Sequence, residues 1–231
     1  MTDRYLAIIP ARAGSKRLVN KNALDLGGKP LFIWSVLAGL ACRSVDKVIV
    51  STDSPAYQAL AVETGADCPR LRSPDLSTDD ATSAEVVMDV LAGLGKEIEQ
   101  YEAFVLLQPT SPLRTSEDVS AAISLYESRE VPAVVSVCET ECPIEKTGRL
   151  GDDLSMDAFT SGNGSKRGQD LPTGYRLNGA IYVVNIQHFI INQDFVPVGS
   201  RAYIMPRERS IDIDTRLDFL IAQAILDQAD A

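Results

Sequence analysis

A cluster of cations follows the first apolar segment of the sequence. Its members are Arg12, Lys16, Arg17 and Lys21, four positive charges within ten positions. The residues between them include alanine, glycine and serine, whose small size lets a backbone approach a phosphate closely and direct its amide groups at it. Because the whole chain has a formal net charge of −10, this local excess of positive charge predicts a phosphate-binding loop rather than a solvated basic turn. The spacing fits neither the GxxxxGKS/T nor the GxGxxG motif.

Two aspartates near the carboxyl end of the chain supply the opposite charge. Asp212 and Asp214 are two positions apart in the segment SIDIDTRLD, so in an extended backbone their side chains share a face. Two carboxylates beside phosphate oxygens suit Mg²⁺, which keeps several waters and takes few protein ligands. The alternative is that these acids cap the final helix near Thr215.

The sequence offers little for catalysis by histidine or cysteine. Its one histidine, His188, lies in an apolar stretch and is expected to pack or to face solvent. The cysteines are scattered, and only two of them are close together, too few to complete a four-ligand metal site. They are Cys42, Cys68, Cys138 and Cys142. We therefore expect chemistry carried by acidic and basic side chains and by backbone amide groups.

Continuous apolar runs alternate with helical patterns in the first part of the chain. The predicted strands are Tyr5–Pro10, Lys47–Thr52, Ala103–Gln108 and Ala133–Val137. The predicted helices are Pro30–Arg43, Ser54–Glu63, Thr82–Leu94 and Ser116–Glu127, with Thr82 and Ser116 as N-caps of the last two. Apolar runs without alternation are typical of parallel strands covered on both faces. This order predicts an α/β fold with a doubly wound, mostly parallel sheet.

The pattern changes after Val137. Residues 139–173 are rich in Gly, Asp, Ser and Lys, and we interpret them as an inserted arm, because a structureless loop of that length is unusual in a compact domain. Residues 1–138 and 174–231 would form the α/β domain. The second part contains predicted strands Gly179–Val184 and Arg201–Met205 and a helix, Thr215–Gln228. The expected apolar face of that helix consists of Leu217, Leu220, Ile221, Ala224 and Ile225.

Composition excludes several classes of protein. The 231 residues are 45% hydrophobic and 23% charged, as expected for a chain that buries a core without disulfides. The acidic balance argues against nucleic acid as a partner, since that binding depends on neutralising phosphates. No apolar run reaches the roughly 18 residues of a membrane span, and the amino terminus does not resemble a signal peptide. We expect a cytoplasmic protein that binds neither nucleic acid nor membranes.

Five motifs, in this order along the chain, resemble the bacterial CMP-sialic acid synthetases (N-acylneuraminate cytidylyltransferases). They are PARAGSKR with KN at 21–22, STDS at 51–54, LQPTSPLR at 107–114, YRLNGAIYV at 175–183 and SIDIDT at 210–215. LQPTSPLR and SIDIDT together are highly specific, whereas PARAGSKR alone also fits other sugar nucleotidyltransferases. The resemblance implies a nucleotide-diphospho-sugar transferase-like fold. It also implies Mg²⁺-dependent transfer of CMP from CTP to the anomeric hydroxyl of a nine-carbon 2-keto sugar acid, with release of pyrophosphate.

The resemblance also assigns roles to individual residues. The residues expected to act in catalysis are Arg12, Lys21 and Asp214. Those expected around the nucleotide are Ala11, through its backbone, with Arg12, Asn22, Arg72 and Ser83. Those expected around the sugar are Gln108, Arg167, Arg176, Tyr182 and Phe195, with Lys166 as the alternative register for Arg167. Asp212 and Asp214 would bind Mg²⁺.

The resemblance further implies a homodimer in which the arm, residues 139–173, reaches across to the other subunit. Phe195 of one subunit would then close the sugar pocket of its partner. Leu177 stands where many relatives have proline, a departure on the sugar side that leaves the nucleotide and metal motifs intact.

Two kinds of alternative remain. The same reaction on legionaminic, pseudaminic or keto-deoxy-octulosonic acid is one, although the long arm argues against the last. A nucleotide-sugar-binding protein without activity is the other, because fold alone does not fix function. The joint presence of the cationic loop and both aspartates argues against an inactive protein.

Overall fold

The computed structural model of the protein describes residues 4–15, 18–156, 167 and 171–229. The strands are β1 (Tyr5–Pro10), β2 (Asp25–Leu26), β3 (Lys29–Pro30), β4 (Val45–Ser51), β5 (Ala103–Leu106), β6 (Ala133–Glu139), β7 (Tyr175–Asn185) and β8 (Arg201–Ile204). The α-helices are α1 (Leu31–Ala41), α2 (Pro55–Thr64), α3 (Ser83–Gly93), α4 (Ser116–Glu127), α5 (Ile186–Asn192) and α6 (Arg216–Ala229). No helix among these residues is long and apolar enough to cross a membrane.

One six-stranded sheet, in the order β4-β1-β5-β7-β6-β8, organises the fold. β1 is parallel to both β4 and β5, and β6 is parallel to β8, whereas β7 is antiparallel to its two neighbours. The prediction of a mostly parallel, doubly wound sheet is confirmed. The chain leaves β1 toward β4 and later returns on the other side of β1 to form β5. Ligands of open α/β sheets bind at the carboxyl ends of strands where the strand order reverses in this way.

The packing of strand β1 explains why its sequence is apolar at nearly every position. Tyr5, Ala7 and Ile9 pack into one core cluster, and Leu6 and Ile8 pack into a second. Helices α1 and α4 contribute buried residues to the first cluster, and α3 and α5 contribute to the second. Because both faces of the strand are covered, neither face carries the polar residues that a half-exposed strand would have.

Two details of the predicted helices are wrong. Thr115, not Ser116, caps α4: its hydroxyl accepts a hydrogen bond from the Asp118 amide, and the Asp118 carboxylate accepts one from the Thr115 amide. In α6 the buried side is formed by Phe219 and Ala222, which pack against Leu26 and its neighbours. The predicted stripe is largely exposed, since Leu217, Leu220 and Ile221 keep 66%, 51% and 41% of their surface accessible.

The predicted arm connects two adjacent antiparallel strands. β6 ends at Glu139, which pairs with Tyr175 at the start of β7. Within the described part of this connection, a short 3₁₀ helix forms at Ile144–Lys146. Several of its apolar side chains are exposed, namely Ile144, Leu150, Leu154 and Met156. Phe159 and Lys166 lie outside the described residues, and the role of the arm in dimerisation stays a prediction.

Candidate active site

A cavity of about 610 Å³ brings together residues from four separate parts of the chain. It lies beside the carboxyl ends of β1 and β5, where the strand order predicts a ligand site. Eight of the residues assigned from the sequence line it: Arg12, Lys21, Asn22, Arg72, Ser83, Gln108, Asp212 and Asp214. The loop after β1 and the aspartate segment before α6 therefore meet across one cavity, although they are about 190 positions apart.

The loop after β1 is fixed by hydrogen bonds to its backbone. The Ala11 amide donates to the Ser51 carbonyl at 2.9 Å, and the Ala13 amide donates to Asp53 Oδ1 at 2.7 Å. Gly14 has a φ of +75°, a conformation that side-chain-bearing residues rarely adopt. Ala11 itself is fully buried and does not line the cavity. Two of the four cations, Lys16 and Arg17, lie outside the described residues.

Arg12 is held at the mouth of the cavity by the segment that precedes α3. Its guanidinium donates to the Thr78 carbonyl at 2.6 Å and to Asp79 Oδ1 at 2.7 Å. The side chain retains 30% of its surface, and both Arg12 and Asp79 line the cavity. A phosphate bound at this position would replace the Asp79 carboxylate as the partner of the Arg12 guanidinium.

Arg72 forms a buried wall of the same cavity. Its guanidinium donates to the hydroxyl of Ser51 at 3.0 Å and also to the Ser51 carbonyl. Burial lowers the pKa of Arg72, while the nearby charge of Asp53 acts in the opposite direction. Ser83 also lines the cavity, at the first turn of α3, whose predicted Thr82 cap is confirmed.

Asn22 presents an acceptor with no partner among the described residues. Its amide nitrogen donates to the Arg12 carbonyl at 2.9 Å, which fixes the orientation of the side chain. The other atom of the amide, Oδ1, is buried and accepts no hydrogen bond from the described part of the chain. Buried polar atoms normally have partners, and leaving one unpaired is costly. Because Asn22 lines the cavity, a hydrogen-bond donor of the ligand is the natural partner.

Lys21 connects the phosphate loop to the aspartate segment. Its ammonium donates to the Ile213 carbonyl at 2.7 Å and to Asp214 Oδ1 at 3.0 Å. The Ile213 amide in turn donates to the Thr110 carbonyl at 2.7 Å. These contacts fix the backbone between Asp212 and Asp214, so that both carboxylates line the cavity.

The two aspartates form a donor set that fits a hard divalent cation. Burial raises the pKa of Asp212, and the negative charge of Asp214 raises it further, against a lowering hydrogen bond from Thr110. Like charges in a partly buried site are stabilised by an additional positive charge. Among the described residues, no group of three or more His, Cys, Asp or Glu side chains could enclose a metal ion. A metal at the aspartate pair would therefore need further ligands from substrate or water.

The residues assigned to the sugar are less closely gathered. Gln108 lines the cavity, and its backbone carbonyl accepts from the buried guanidinium of Arg114. Gly179 leaves room for the Gln108 side chain, since a Cβ at that position would lie 2.7 Å from its Oε1 atom. Burial lowers the pKa of Arg114 to about 9, although Asp118 and Asp212 oppose the shift.

The other four sugar residues do not line the cavity. Arg176 is exposed and donates to the Ser210 carbonyl at 3.2 Å, and Arg167 is also exposed. The ring of Phe195 lies 5.7 Å from that of Tyr182 and 4.8 Å from that of Phe189 in the same chain. Within one chain, Phe195 therefore belongs to an aromatic cluster beside the core. The sugar roles of these residues stay predictions.

Several cavity residues were missed from the sequence. Asp79 and Thr110 line the cavity, and Asp53 orients the loop through the Ala13 amide. Asp53 and Thr110 belong to the STDS and LQPTSPLR motifs, and their position just after buried strands could have indicated a role. Asp79 lies in the acidic run DLSTDD, where nothing local marks one acid as the partner of Arg12.

The sheet order, the fixed cationic loop and the facing aspartates define an α/β protein of the nucleotidyltransferase type. A solved structure with the same architecture is that of CMP:2-keto-3-deoxy-manno-octonic acid synthetase complexed with CTP. It has a TM-score of 0.74 and 16% sequence identity, covering 98% of this chain and 100% of that one. Residues 6–147 match the family model described as cytidylyltransferase. The chain belongs to the cytidylyltransferase family.

Named relatives narrow the comparison. The chain is 42% identical over 226 residues to an N-acylneuraminate cytidylyltransferase of Escherichia coli, covering 97% of this chain and 52% of that protein. It is 34% identical to a CMP-N,N'-diacetyllegionaminic acid synthase of Legionella pneumophila, covering 97% of both proteins. The chain thus spans about half the length of the first relative and nearly all of the second.

Proposed function

We propose that the protein transfers CMP from CTP to the anomeric hydroxyl of a nine-carbon 2-keto sugar acid of the N-acetylneuraminate type, releasing pyrophosphate. The observation that carries this proposal is the contact of Lys21 with Asp214 and the Ile213 carbonyl. It joins a cation-rich loop to a pair of carboxylates in one cavity, as transfer of a phosphoryl group between two oxygen atoms requires. The similarity to N-acylneuraminate cytidylyltransferases supports it.

The loop after β1 would bind the triphosphate. Arg12 would exchange its carboxylate partner Asp79 for a phosphate oxygen, giving a charge-assisted hydrogen bond in a partly dry site. Ala13 and Gly14 let the backbone approach the phosphates closely. The free Oδ1 of Asn22 would accept a hydrogen bond from the nucleoside, and the buried guanidinium of Arg72 would line the same cavity.

Asp212 and Asp214 would hold Mg²⁺, with phosphate oxygens and water as its remaining ligands. When bound there, Mg²⁺ neutralises phosphate charge and lowers the pKa of a coordinated hydroxyl. Lys21 keeps Asp214 oriented and places a further positive charge beside the phosphates.

The transfer itself needs little else from the chain. The anomeric oxygen forms a bond to the α-phosphorus, the bond from that phosphorus to the bridging oxygen of pyrophosphate breaks, and the hydroxyl proton passes to water. His188 lies on α5 and contacts Asn192, outside the cavity lining, so it is not the base. The residues of this chain contribute mainly by positioning the reactants and by neutralising charge.

A second copy of the chain would complete the sugar site. The cavity of one chain contains Gln108 but not Arg176, Tyr182 or Phe195. The described part of the arm exposes a set of apolar side chains. A symmetric homodimer would bury that surface on both subunits and could bring residues 139–173 and Phe195 toward the neighbouring cavity.

The choice of sugar acid is tested by a panel of substrates. Pyrophosphate release would be followed with CTP and N-acetylneuraminic, legionaminic, pseudaminic or keto-deoxy-octulosonic acid. We expect the highest kcat/KM with N-acetylneuraminic acid, and the Legionella relative makes legionaminic acid the second candidate. A higher kcat/KM with any other acid would overturn the choice of sugar, and release with none of them would overturn the reaction.

A further inference from the structure

The segment that carries both aspartates is tied to helix α4 by an ion pair outside the cavity. Arg209 ends the 3₁₀ helix Arg207–Arg209, three residues before Asp212. Its Nε donates to Asp118 Oδ2 and its Nη2 donates to Asp118 Oδ1, both at 2.8 Å. This two-bond geometry fixes the direction of the guanidinium as well as its distance.

Asp118 is well suited to act as a fixed anchor. Its side chain is only 2% exposed, and it also accepts from the Tyr203 hydroxyl and the Thr115 amide, each at 3.0 Å. Burial alone would raise the pKa of Asp118, but the hydrogen bonds from Arg209, Thr115 and Tyr203 outweigh it and the pKa lies below its ordinary value. The carboxylate is therefore charged, buried and held by three other residues.

The aspartate segment also has contacts other than this ion pair. The buried hydroxyl of Ser210 accepts from the Asn178 amide at 2.9 Å, and the Ile213 amide donates to a backbone carbonyl of the 107–114 motif. Lys21 holds the far end of the segment from inside the cavity. Arg209 holds the near end from outside, because it does not line the cavity and is 38% exposed.

We propose that Arg209 is a positioning residue which, through Asp118 and Tyr203, holds Asp212 and Asp214 at the spacing that a divalent cation requires. The inference rests on the metal site of the proposed function. Groups that orient metal ligands without touching the metal commonly change metal affinity by about 10- to 100-fold when removed. Arg209 therefore sets the affinity of the site for metal, not its affinity for nucleotide.

The test measures Mn²⁺ binding by electron paramagnetic resonance, in the presence of CTP and without any sugar, so that no turnover occurs. For Arg209→Met we expect Mn²⁺ to bind about tenfold more weakly, with Arg209→Lys between that variant and the wild type. The matched control is Arg207→Met, since Arg207 lies two residues earlier in the same 3₁₀ helix and pairs with Glu141 at the surface at 3.6 Å. This control should bind Mn²⁺ like the wild type.

A second variant guards against loss of folding. Arg209→Met leaves the buried Asp118 carboxylate without its main partner, whereas the double variant Asp118→Asn/Arg209→Gln removes both charges and keeps hydrogen-bonding groups. We expect it to bind Mn²⁺ about tenfold more weakly as well. Metal-free CTP binding, measured by calorimetry, should change by less than about twofold, because Arg209 acts through the aspartates alone.

Two outcomes would overturn the inference. One is unchanged Mn²⁺ affinity in both Arg209→Met and the double variant. The other is a parallel loss of metal-free CTP binding and Mn²⁺ binding, which would mean that the ion pair only supports the fold. Failure of the proposed function is distinct, because a wild-type protein that binds Mn²⁺ but releases no pyrophosphate with any sugar would leave the inference intact.

Discussion

The proposed nucleotide half and the proposed sugar half of the candidate site differ in how many of their residues line the cavity of one chain. On the nucleotide side, Arg12, Lys21 and Asn22 line the same cavity as both aspartates, and backbone hydrogen bonds fix their loop. On the sugar side, Gln108 lines that cavity while Phe195 packs against aromatic rings of its own chain.

This difference follows from where the residues lie in the fold. Arg12 comes directly after the buried strand β1, and the two aspartates lie just before α6. Three of the sugar residues lie on β7 or on the loop after α5, and Arg167 lies in the arm. Arg167 and Arg176 are exposed, and a neighbouring subunit can complete a site that includes such residues.

The largest effect is expected from a change at Asp214, one of the two proposed metal ligands. Asp214→Asn removes a charge that Mg²⁺ needs, and we expect turnover to fall about a thousandfold with the fold unchanged. Asp212→Asn should impair turnover less. Initial rates across a range of Mg²⁺ concentrations and a circular dichroism spectrum provide the measurement. The control is Asp227→Asn, at an exposed position near the end of α6. Near-normal turnover of Asp214→Asn at ordinary Mg²⁺ would contradict the two-carboxylate assignment.

The cations of the loop should come next. We expect Arg12→Ala and Lys21→Ala each to cost about 2–4 kcal/mol of transition-state stabilisation, as removal of a preorganised charge-stabilising donor does. The effect should be on kcat and on the KM for CTP, measured with saturating sugar. Arg43→Ala, at an exposed site, serves as the control. A change confined to the KM for the sugar would contradict the assignment of Arg12 and Lys21 to the nucleotide half.

A mixing experiment asks whether the sugar half is shared between subunits. Phe195→Ala and Gln108→Ala chains should each be defective with the sugar acid and normal in binding CTP. If Phe195 serves the partner, a mixed dimer has one pocket with both defects and one with neither, so random mixing restores about one quarter of wild-type activity. If Phe195 acts only through Tyr182 of its own chain, as the 5.7 Å ring contact allows, mixing restores nothing.

The smallest effect is expected on stability, from a change at Asp118, which binds Arg209 in the segment before the two aspartates. The folded-state pKa of Asp118 is lowered, so its contribution to stability is fully present above the ordinary aspartate pKa of about 3.9 and is lost as pH falls through the folded value. Near neutral pH, we expect Asp118→Asn to lower the free energy of unfolding by about 2 kcal/mol. Urea unfolding of both chains at decreasing pH should show this difference shrinking below about pH 4. A difference that does not depend on pH would contradict the charged anchor.

The cationic loop and the aspartate pair could be predicted from the sequence because each of them is a local pattern. A continuous apolar strand followed by small residues and cations, and two aspartates at alternate positions, are patterns within ten residues. The direction of β7 could not be predicted, since an apolar run such as GAIYVV suits a parallel or an antiparallel strand equally well. The buried side of α6 was missed because two apolar stripes compete, and only tertiary packing selects the one that includes Phe219.

Contacts between charged residues that are far apart in the chain could also not be predicted from the sequence. Arg209 and Asp118 are 91 positions apart, and neither belongs to a local pattern that marks it as the partner of the other. In the sequence Asp118 is one of two acids in the first turn of a helix, and in the structure it both caps α4 and binds Arg209. Gln108 could be assigned from its motif, but the space that Gly179 leaves for it depends on β7 reaching the same point of the sheet.

The central claim is that the protein transfers CMP from CTP to a nine-carbon keto acid. Phosphorus-31 magnetic resonance tests this claim most directly. The protein would be mixed with CTP, Mg²⁺ and N-acetylneuraminic acid, and the products followed over time. We predict a phosphodiester resonance of a CMP-sugar that grows in step with pyrophosphate, with neither formed when the sugar is omitted. Intact CTP, or free CMP without a phosphodiester product, would contradict the account.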